Sequence, residues 1–160
     1  MSDFLDLKLH SLDVPTGSDD WYTPSWIFEA LKVSFDLDVC SPPEGIKWLP
    51  AKRYYSLLDD GLLQDWEGFI WMNPPYSNPL PWVRKFIQHG EGIALVPTST
   101  GKWMMELWEA NTSWIVLEPM RFQAANGQLA KGALPTRCWL VGVGDRANEA
   151  MHSSGLGRVR

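Results

Sequence analysis

Short apolar runs alternate along the chain with segments of helical spacing, and this alternation constrains the fold more than any other feature. Five segments are predicted strands: 69–72, 93–96, 114–117 and 138–143 are apolar runs, and in 35–39 apolar residues alternate with Asp36 and Asp38. Apolar residues have helical spacing in three segments: after Thr23-Pro24, after Asn78-Pro79, and over 103–108. Thr23 is the expected N-cap of the first helix. Strands that alternate with helices indicate an α/β layer fold with a largely parallel sheet.

Three polar or turn-forming residues fall at or just after the carboxyl ends of predicted strands. They are Asp38, Asn73 and Pro97. In parallel sheets the carboxyl ends of the strands lie at one edge, and ligands bind in the crevice beyond that edge. The sequence therefore predicts that these residues share one rim, and that the functional site lies there.

The remaining segments carry weaker signals. We expect one domain over 19–144, a flexible arm over 1–18 and a frayed tail over 145–160, where glycine, serine and charged residues dominate. Residues 42–66 contain turn residues but no readable period. The stretch between Asp38 and Asp60 is short for a complete strand-helix-strand repeat, so the sheet is expected to lack a strand.

Bulk properties exclude several classes of protein. No apolar run reaches the length of a membrane span, and the first ten residues do not read as a signal sequence, so we expect a cytoplasmic protein without a membrane partner. Cys40 and Cys138 are isolated, so no metal site is expected. The net charge of -5 argues mildly against a nucleic-acid partner, because contacts to phosphate need positively charged side chains. The position of those side chains on the surface is more important than the net charge. The oligomeric state, monomer or homodimer, stays open.

Asn73-Pro74-Pro75-Tyr76 is the most informative motif in the chain. Two prolines stiffen the turn after a buried strand, so a carbonyl there can be aimed outward. The Asn73 side-chain oxygen and the Pro74 carbonyl could accept the two hydrogens of an aryl amine while its nitrogen attacks a methyl group. Tyr76 could then offer its face to a flat ring. The alternative is a structural turn with Tyr76 as ordinary packing.

Several blocks in order carry a resemblance to a known family. They are Asp20-Trp21-Tyr22-Thr23-Pro24, Phe35-Asp36-Leu37-Asp38 with Val39-Cys40-Ser41-Pro42, Asp59-Asp60-Gly61-Leu62 with Asp65-Trp66-Glu67-Gly68, and Trp71-Met72-Asn73-Pro74-Pro75-Tyr76. Over roughly 19–143 the chain resembles the phage-type DNA N-6-adenine methyltransferases. The resemblance implies a compact Rossmann-like class I methyltransferase sheet, mostly parallel with an antiparallel last strand. It also implies S-adenosylmethionine as methyl donor and adenine of double-stranded DNA as acceptor.

The resemblance also implies roles for individual residues. Asn73, Pro74, Pro75 and Tyr76 become the catalytic loop. The cofactor would be bound by Tyr22, Thr23, Pro24, Asp38, Ser41, Asp59 and Asp60, with Asp38 beside its methionine part and either Asp59 or Asp60 near its adenosine. Each role has a structural alternative: Tyr22 could be packing, Asp38 could solubilise a strand end, and Asp59 and Asp60 could form an Asx turn.

One departure from broader methyltransferase families concerns the cofactor. Ser41-Pro42-Pro43 stands where those families have a glycine-rich loop. We therefore expect the carboxylate end of the cofactor to be held differently, with Ser41 as part of the site.

The long polar loop from Arg121 to Arg137 is the expected DNA contact, through Arg121, Lys131 and Arg137. Its alternative is a simple connection between strands. Two other functions fit the same motif. One is a methyltransferase for protein glutamine, and the other is a catalytically inactive DNA- or cofactor-binding module.

Overall fold

The computed structural model describes residues 21–124, 126–132 and 137–160. Its strands are β1 (Trp21–Tyr22), β2 (Phe35–Ser41), β3 (Ala51–Ser56), β4 (Ile70–Met72), β5 (Gly92–Pro97), β6 (Thr112–Val116), β7 (Gln123–Ala124) and β8 (Cys138–Val143). The described helices are α1 (Ser25–Leu31), α2 (Leu80–His89), α3 (Lys102–Glu109) and α4 (Asp145–Ser153). All five predicted strands are confirmed, within one or two residues at their ends.

A mixed sheet with strand order β3-β2-β4-β5-β8-β6 forms the centre of the fold. The first four strands of that order are parallel, whereas β8 runs antiparallel to both of its neighbours. A small separate sheet pairs β1 with β7. The α/β class and the mostly parallel sheet with an antiparallel last strand are therefore confirmed.

Helices cover both faces of the sheet. Apolar side chains of α1 and α4 pack in one core cluster, and those of α2 and α3 pack in the other. The strands contribute side chains to both clusters, since Trp71 of β4 belongs to the first and its neighbours Ile70 and Met72 belong to the second. This two-sided burial explains why β4 and β5 read as continuous apolar runs rather than as an alternating pattern. On α3, Trp103 and Leu107 are buried, but Trp108 is more than half exposed.

The connection from β2 to β3 is unusual for a parallel pair. Residues 42–50 contain no helix, and the chain returns to start β3 through turns alone. Sequence reasoning missed β3 because it is an edge strand, in which Lys52, Arg53 and Tyr54 are exposed and no apolar alternation is visible. The short connection agrees with the expectation of an incomplete strand-helix-strand repeat.

Two expectations were wrong. Residues 145–160 do not fray as a whole: α4 buries Ala147 and Met151, and the backbone of Arg160 forms hydrogen bonds with Trp114 in both directions, at 2.8 and 3.0 Å. The small apolar residues of α4 stand among charged ones, so its buried face was not apparent. Thr23 is not an N-cap, because α1 begins at Ser25 without a side-chain cap. The expected arm over 1–18 lies outside the described residues.

None of the described helices has the length and apolar character needed to cross a membrane.

Candidate active site

The strand register places the predicted rim residues together. Asp38 of β2 is paired with Trp71 of β4, and Asn73 follows two residues later along the same direction. Pro97 ends β5, which is the next parallel strand. With strands about 4.8 Å apart and about 3.3 Å of rise per residue, Asp38 and Asn73 lie within about 10 Å of each other. The prediction of a shared rim is confirmed.

The Asn73 side chain presents an unused acceptor at this rim. Its Nδ2 donates a hydrogen bond to Oγ1 of Thr23 at 3.4 Å. Its Oδ1 is shielded from solvent and has no hydrogen-bond partner among the described residues. A buried amide oxygen without a donor costs free energy unless a ligand satisfies it. Asn73 is therefore equipped to accept a hydrogen bond from a bound group.

The segment that contains Thr23 is fixed from two sides. The Thr23 carbonyl accepts a hydrogen bond from Nε1 of Trp48 at 2.8 Å, and the Tyr22 ring packs against the Trp48 ring at a centroid distance of 6.2 Å. On the other side, the Ser25 amide donates to Oε1 of Gln123 at 2.9 Å. Tyr22, Thr23 and Pro24 are all buried. The structure thus brings this predicted loop to Asn73, and it adds Trp48 and Gln123, which no sequence signal had singled out.

Asp38 is a buried carboxyl group, with 2% of its surface exposed. Its Oδ1 accepts a hydrogen bond from the Cys40 amide at 3.2 Å. Burial raises the pKa of Asp38 to about 7, although the Cys40 amide and the Ser41 hydroxyl act in the opposite direction. Asp38 therefore does not solubilise a strand end, which removes that alternative. Asp38 forms no ion pair within the described part of the chain, and a buried acid in that state suits a cationic group.

Asp38 and Ser41 line a cavity of about 260 Å³ beneath the β2–β3 connection. Its other walls come from Ala51, Lys52 and Tyr54 of β3 and from five residues of the connection, Glu44, Gly45, Ile46, Lys47 and Leu49. Lys47 and Lys52 bring positive charge to the cavity, and Lys52 also forms an ion pair with Asp36 at 2.7 Å. The cavity lining thus combines two acids, Asp38 and Glu44, with two cations, which suits a small zwitterionic group.

Asp59 and Asp60 stabilise the turn that follows β3. Oδ2 of Asp59 accepts hydrogen bonds from the Ser56 amide at 2.8 Å and from the Ser56 hydroxyl at 3.1 Å. Oδ1 of Asp60 accepts one from the Leu62 amide at 3.3 Å, and Asp60 has a positive φ of 54°. Both side chains are exposed. The turn alternative therefore has direct structural support, whereas a cofactor contact by either residue stays a prediction.

Tyr76 is buried, with 2% of its surface exposed. Burial and the neighbouring Cys138 thiol raise the pKa of Tyr76 well above its ordinary value. The ring therefore does not offer a free face to a base in this conformation, and the sequence expectation of an exposed stacking surface is not met. Pro74 is buried as well, and Pro75 is half-buried.

The three predicted DNA-contacting residues differ in their surroundings. Arg137 precedes β8 at the rim and forms an ion pair with Glu118 at 3.2 Å. The Arg121 Nε donates to the Ala130 carbonyl, which closes the loop that carries β7. Lys131 is exposed. All three are exposed, and this loop reaches the site because β7 pairs with β1 next to Thr23. No cluster of possible metal ligands occurs among the described residues.

Comparisons with known proteins identify the family of the chain. The family model for DNA N-6-adenine-methyltransferase (Dam) matches residues 12–126. A DNA N-6-adenine-methyltransferase of Haemophilus phage HP1 (strain HP1c1) is 35% identical over 99 residues, which cover 55% of this chain and 56% of the relative. The chain thus spans about half the length of this curated relative. No solved structure matches the chain significantly. Because the family model covers more than half of it, the chain belongs to the DNA N-6-adenine-methyltransferase (Dam) family.

Proposed function

We propose that this protein transfers a methyl group from S-adenosylmethionine to the N6 amino group of adenine in double-stranded DNA. The observation that carries the proposal is the buried Asn73 Oδ1, which has no donor in the described part of the chain and lies at the rim beside Asp38. Family membership supports the same reaction, as does the similarity to the DNA N-6-adenine-methyltransferase of the phage. We place the reaction in a Rossmann-like methyltransferase domain over 19–144, to which α4 adds a helix with one buried face.

Asn73 and Pro74 would act on the amino group during transfer. The exocyclic nitrogen of adenine is a poor nucleophile, because its lone pair is delocalised into the ring. Oδ1 of Asn73 and the carbonyl of Pro74 would accept its two hydrogens, and these hydrogen bonds strengthen as the nitrogen becomes positive. Such acceptors stabilise the transition state more than the ground state. No general base is required, since the proton can leave after the transfer.

The target adenine must leave the duplex to reach this corner, which costs a few kcal/mol of stacking and pairing. Stacking on Tyr76 would recover part of that free energy, at about 1–3 kcal/mol per base. Because Tyr76 is buried, this role requires that the ring be uncovered when DNA binds. The alternative is that Tyr76 supports the catalytic corner from behind, against Cys138.

The residues at the rim fit S-adenosylmethionine, which supplies an electrophilic methyl group when bound. Asp38 is a buried acid without a neutralising cation among the described residues, so it suits the cationic amino group at the methionine end. Lys47 and Lys52 line the same cavity and suit the carboxylate. Ser41 would lie between Asp38 and the two lysines. This cavity would then bind the methionine end of the cofactor, as a glycine-rich loop does in broader methyltransferase families. Tyr22 and Pro24 would border the cofactor, and Asp59 or Asp60 could approach its adenosine from their turn.

The exposed cations of the loop after β6 would contact DNA phosphates. Arg121 and Arg137 already have partners within the protein, so Lys131 is the residue we expect to contribute most freely. Phosphate contacts set the register of the protein on DNA, whereas base contacts set its sequence preference. We propose that the reaction takes place in the cytoplasm, of the host cell if the chain is phage-encoded.

A labelled-methyl assay tests the proposal. Purified protein is offered labelled S-adenosylmethionine with unmethylated duplex DNA, RNA or protein in separate reactions, and hydrolysed DNA is examined for N6-methyladenine. Asn73→Ala should retain the wild-type cofactor affinity in calorimetry but lose about 100-fold or more of the turnover. The matched control is Asn78→Ala, which removes an exposed amide from the same turn and should leave turnover unchanged.

Each outcome of the assay has a clear meaning. Undiminished turnover in Asn73→Ala would disprove the role assigned to the amide. Label in protein glutamine instead of DNA would favour the glutamine methyltransferase. Cofactor binding by the wild type without transfer to any substrate would indicate an inactive module.

A further inference from the structure

The Asn73 side chain can point either of two chemically opposite ends at its substrate. An amide carries an acceptor oxygen and a donor NH₂ group of nearly the same size. Only the oxygen can accept a hydrogen from an amino group, whereas the NH₂ group would oppose it donor to donor. A site built on Asn73 therefore needs something that fixes the orientation of the amide.

We infer that Thr23 is a positioning residue that orients the Asn73 amide, holding Nδ2 so that Oδ1 faces the amino group to be methylated. The inference deepens the proposed function and rests on it. The observation behind it is the hydrogen bond from Asn73 Nδ2 to Thr23 Oγ1 at 3.4 Å, beside an Oδ1 without a described partner. It differs from the resemblance, which implies a cofactor contact for Thr23.

Thr23 is suited to this task because it cannot readily move. Its side chain is fully buried, and its carbonyl is held by the Trp48 indole at 2.8 Å. Two residues later, Gln123 of β7 binds the Ser25 amide at 2.9 Å. Because these bonds fix the backbone that carries Thr23, its buried hydroxyl is a well-placed acceptor for the NH₂ group.

The opposite orientation of the amide is less favourable. The Thr23 hydroxyl could then donate to Oδ1, but the NH₂ group would be left in the position now taken by the oxygen. Buried N–H groups without an acceptor are rarer in proteins than under-satisfied carbonyl oxygens. The hydrogen bond to Thr23 therefore selects the orientation that a methyl acceptor requires.

Isosteric substitution separates this role from the alternatives. Thr23→Val keeps the shape of the side chain but removes the hydroxyl, and Thr23→Ser keeps the hydroxyl. Loss of one neutral hydrogen bond should lower kcat of Thr23→Val at saturating cofactor roughly 2- to 13-fold. Thr23→Ser should restore most of it, and calorimetry should give the same Kd for S-adenosylmethionine in all three proteins. Should Thr23→Val fail to fold, Thr23→Ala is measured in its place.

A second measurement does not depend on turnover. In protein labelled with ¹⁵N-asparagine, the side-chain signal of Asn73 is assigned by its loss in Asn73→Asp. One of its two hydrogens should exchange with solvent more slowly than the other in the wild type and in Thr23→Ser, but not in Thr23→Val.

Two results would overturn the inference: a kcat of Thr23→Val that is unchanged at saturating cofactor, even where its cofactor Kd is weakened, or unaltered amide exchange in Thr23→Val. Absence of methyl transfer by the wild type would instead refute the proposed function, and it would leave the amide exchange to decide the role of Thr23.

Discussion

Replacement of Asp38 by asparagine tests whether the buried carboxyl group receives the cofactor. Asparagine has the same shape but cannot ionise, and Asp38 has a pKa raised to about 7 by burial. If only the ionised carboxylate binds the cationic amino group, the protein that can bind the cofactor is the fraction in which Asp38 is ionised. That fraction is about one half at pH 7.0 and about 3% at pH 5.5. The Kd for S-adenosylmethionine should then tighten about 16-fold between these pH values. The amino group of the ligand, with an ordinary pKa of about 7.7–8.0, stays protonated throughout.

Isothermal titration at pH 5.5, 6.0, 6.5 and 7.0 measures this dependence. In Asp38→Asn the affinity at pH 7.0 should be weaker, and its change with pH should be nearly lost. Any slope left in the variant belongs to groups other than Asp38. A flat profile in the wild type, or the same slope in both proteins, would refute the assignment of Asp38.

Ionisation of Asp38, which should strengthen cofactor binding, should lower the stability of the ligand-free protein. Its folded-state pKa lies above the ordinary value of 3.8, so the stability it contributes is fully present below about pH 3.8 and is lost as the pH rises to about 7. Above pH 7 the ligand-free Asp38→Asn protein should therefore be more stable than the wild type in urea unfolding. A variant that gains stability while it loses cofactor affinity would be typical of a residue kept for binding.

Two further predictions concern the architecture and the DNA contact. Gly61→Ala should lower the free energy of unfolding by about 1–3 kcal/mol, because the new Cβ would lie 2.2 Å from the Val39 carbonyl oxygen. Gly132→Ala, which meets no atom within 4 Å, is the control in the same urea titration and should change little. Lys131→Ala should reduce the slope of log affinity for duplex DNA against log salt by about 0.9. The control is Arg84→Gln, which loses only its ion pair with Glu106 and should keep the wild-type slope. Equal slopes in the wild type, Lys131→Ala and Arg84→Gln would exclude Lys131 from the DNA interface.

The sequence predicted the parts of the fold in which a local pattern and the tertiary environment agree. The strands β4 and β5 are apolar throughout because both of their faces are covered, and the rim was predicted from where the parallel strands end. The parts of the fold that were not predicted from the sequence depend on tertiary contacts. The edge strand β3 is polar on its exposed residues, and β1 and β7 are only two residues long and stabilise each other across about a hundred residues of chain.

The candidate site divides in the same way. Asp38 and Asn73 were identified from their types and their positions at strand ends. Trp48 and Gln123 were not, since their part is to bind the backbone of the Thr23 segment, and neither residue type signals such a role. The burial of Tyr76 was equally unpredictable, because it depends on how the turn after Asn73 packs near the start of β8.

Residues that carry a family resemblance need not all touch the reacting molecules. In the Asp59–Gly68 segment, Asp59 and Asp60 bind backbone amides of their own turn, and Gly61 packs against the Val39 carbonyl. The Trp66 indole donates to the Gly61 carbonyl at 2.8 Å, and Lys85 of α2 donates to three carbonyls of the same loop. These contacts fix the loop beside β2, the strand that carries Asp38. For this segment a scaffold role explains the motif without any ligand. The buried carboxyl group of Asp38 and the Asn73 Oδ1, which has no partner in the described part of the chain, have no such explanation, so binding and chemistry should be sought there first.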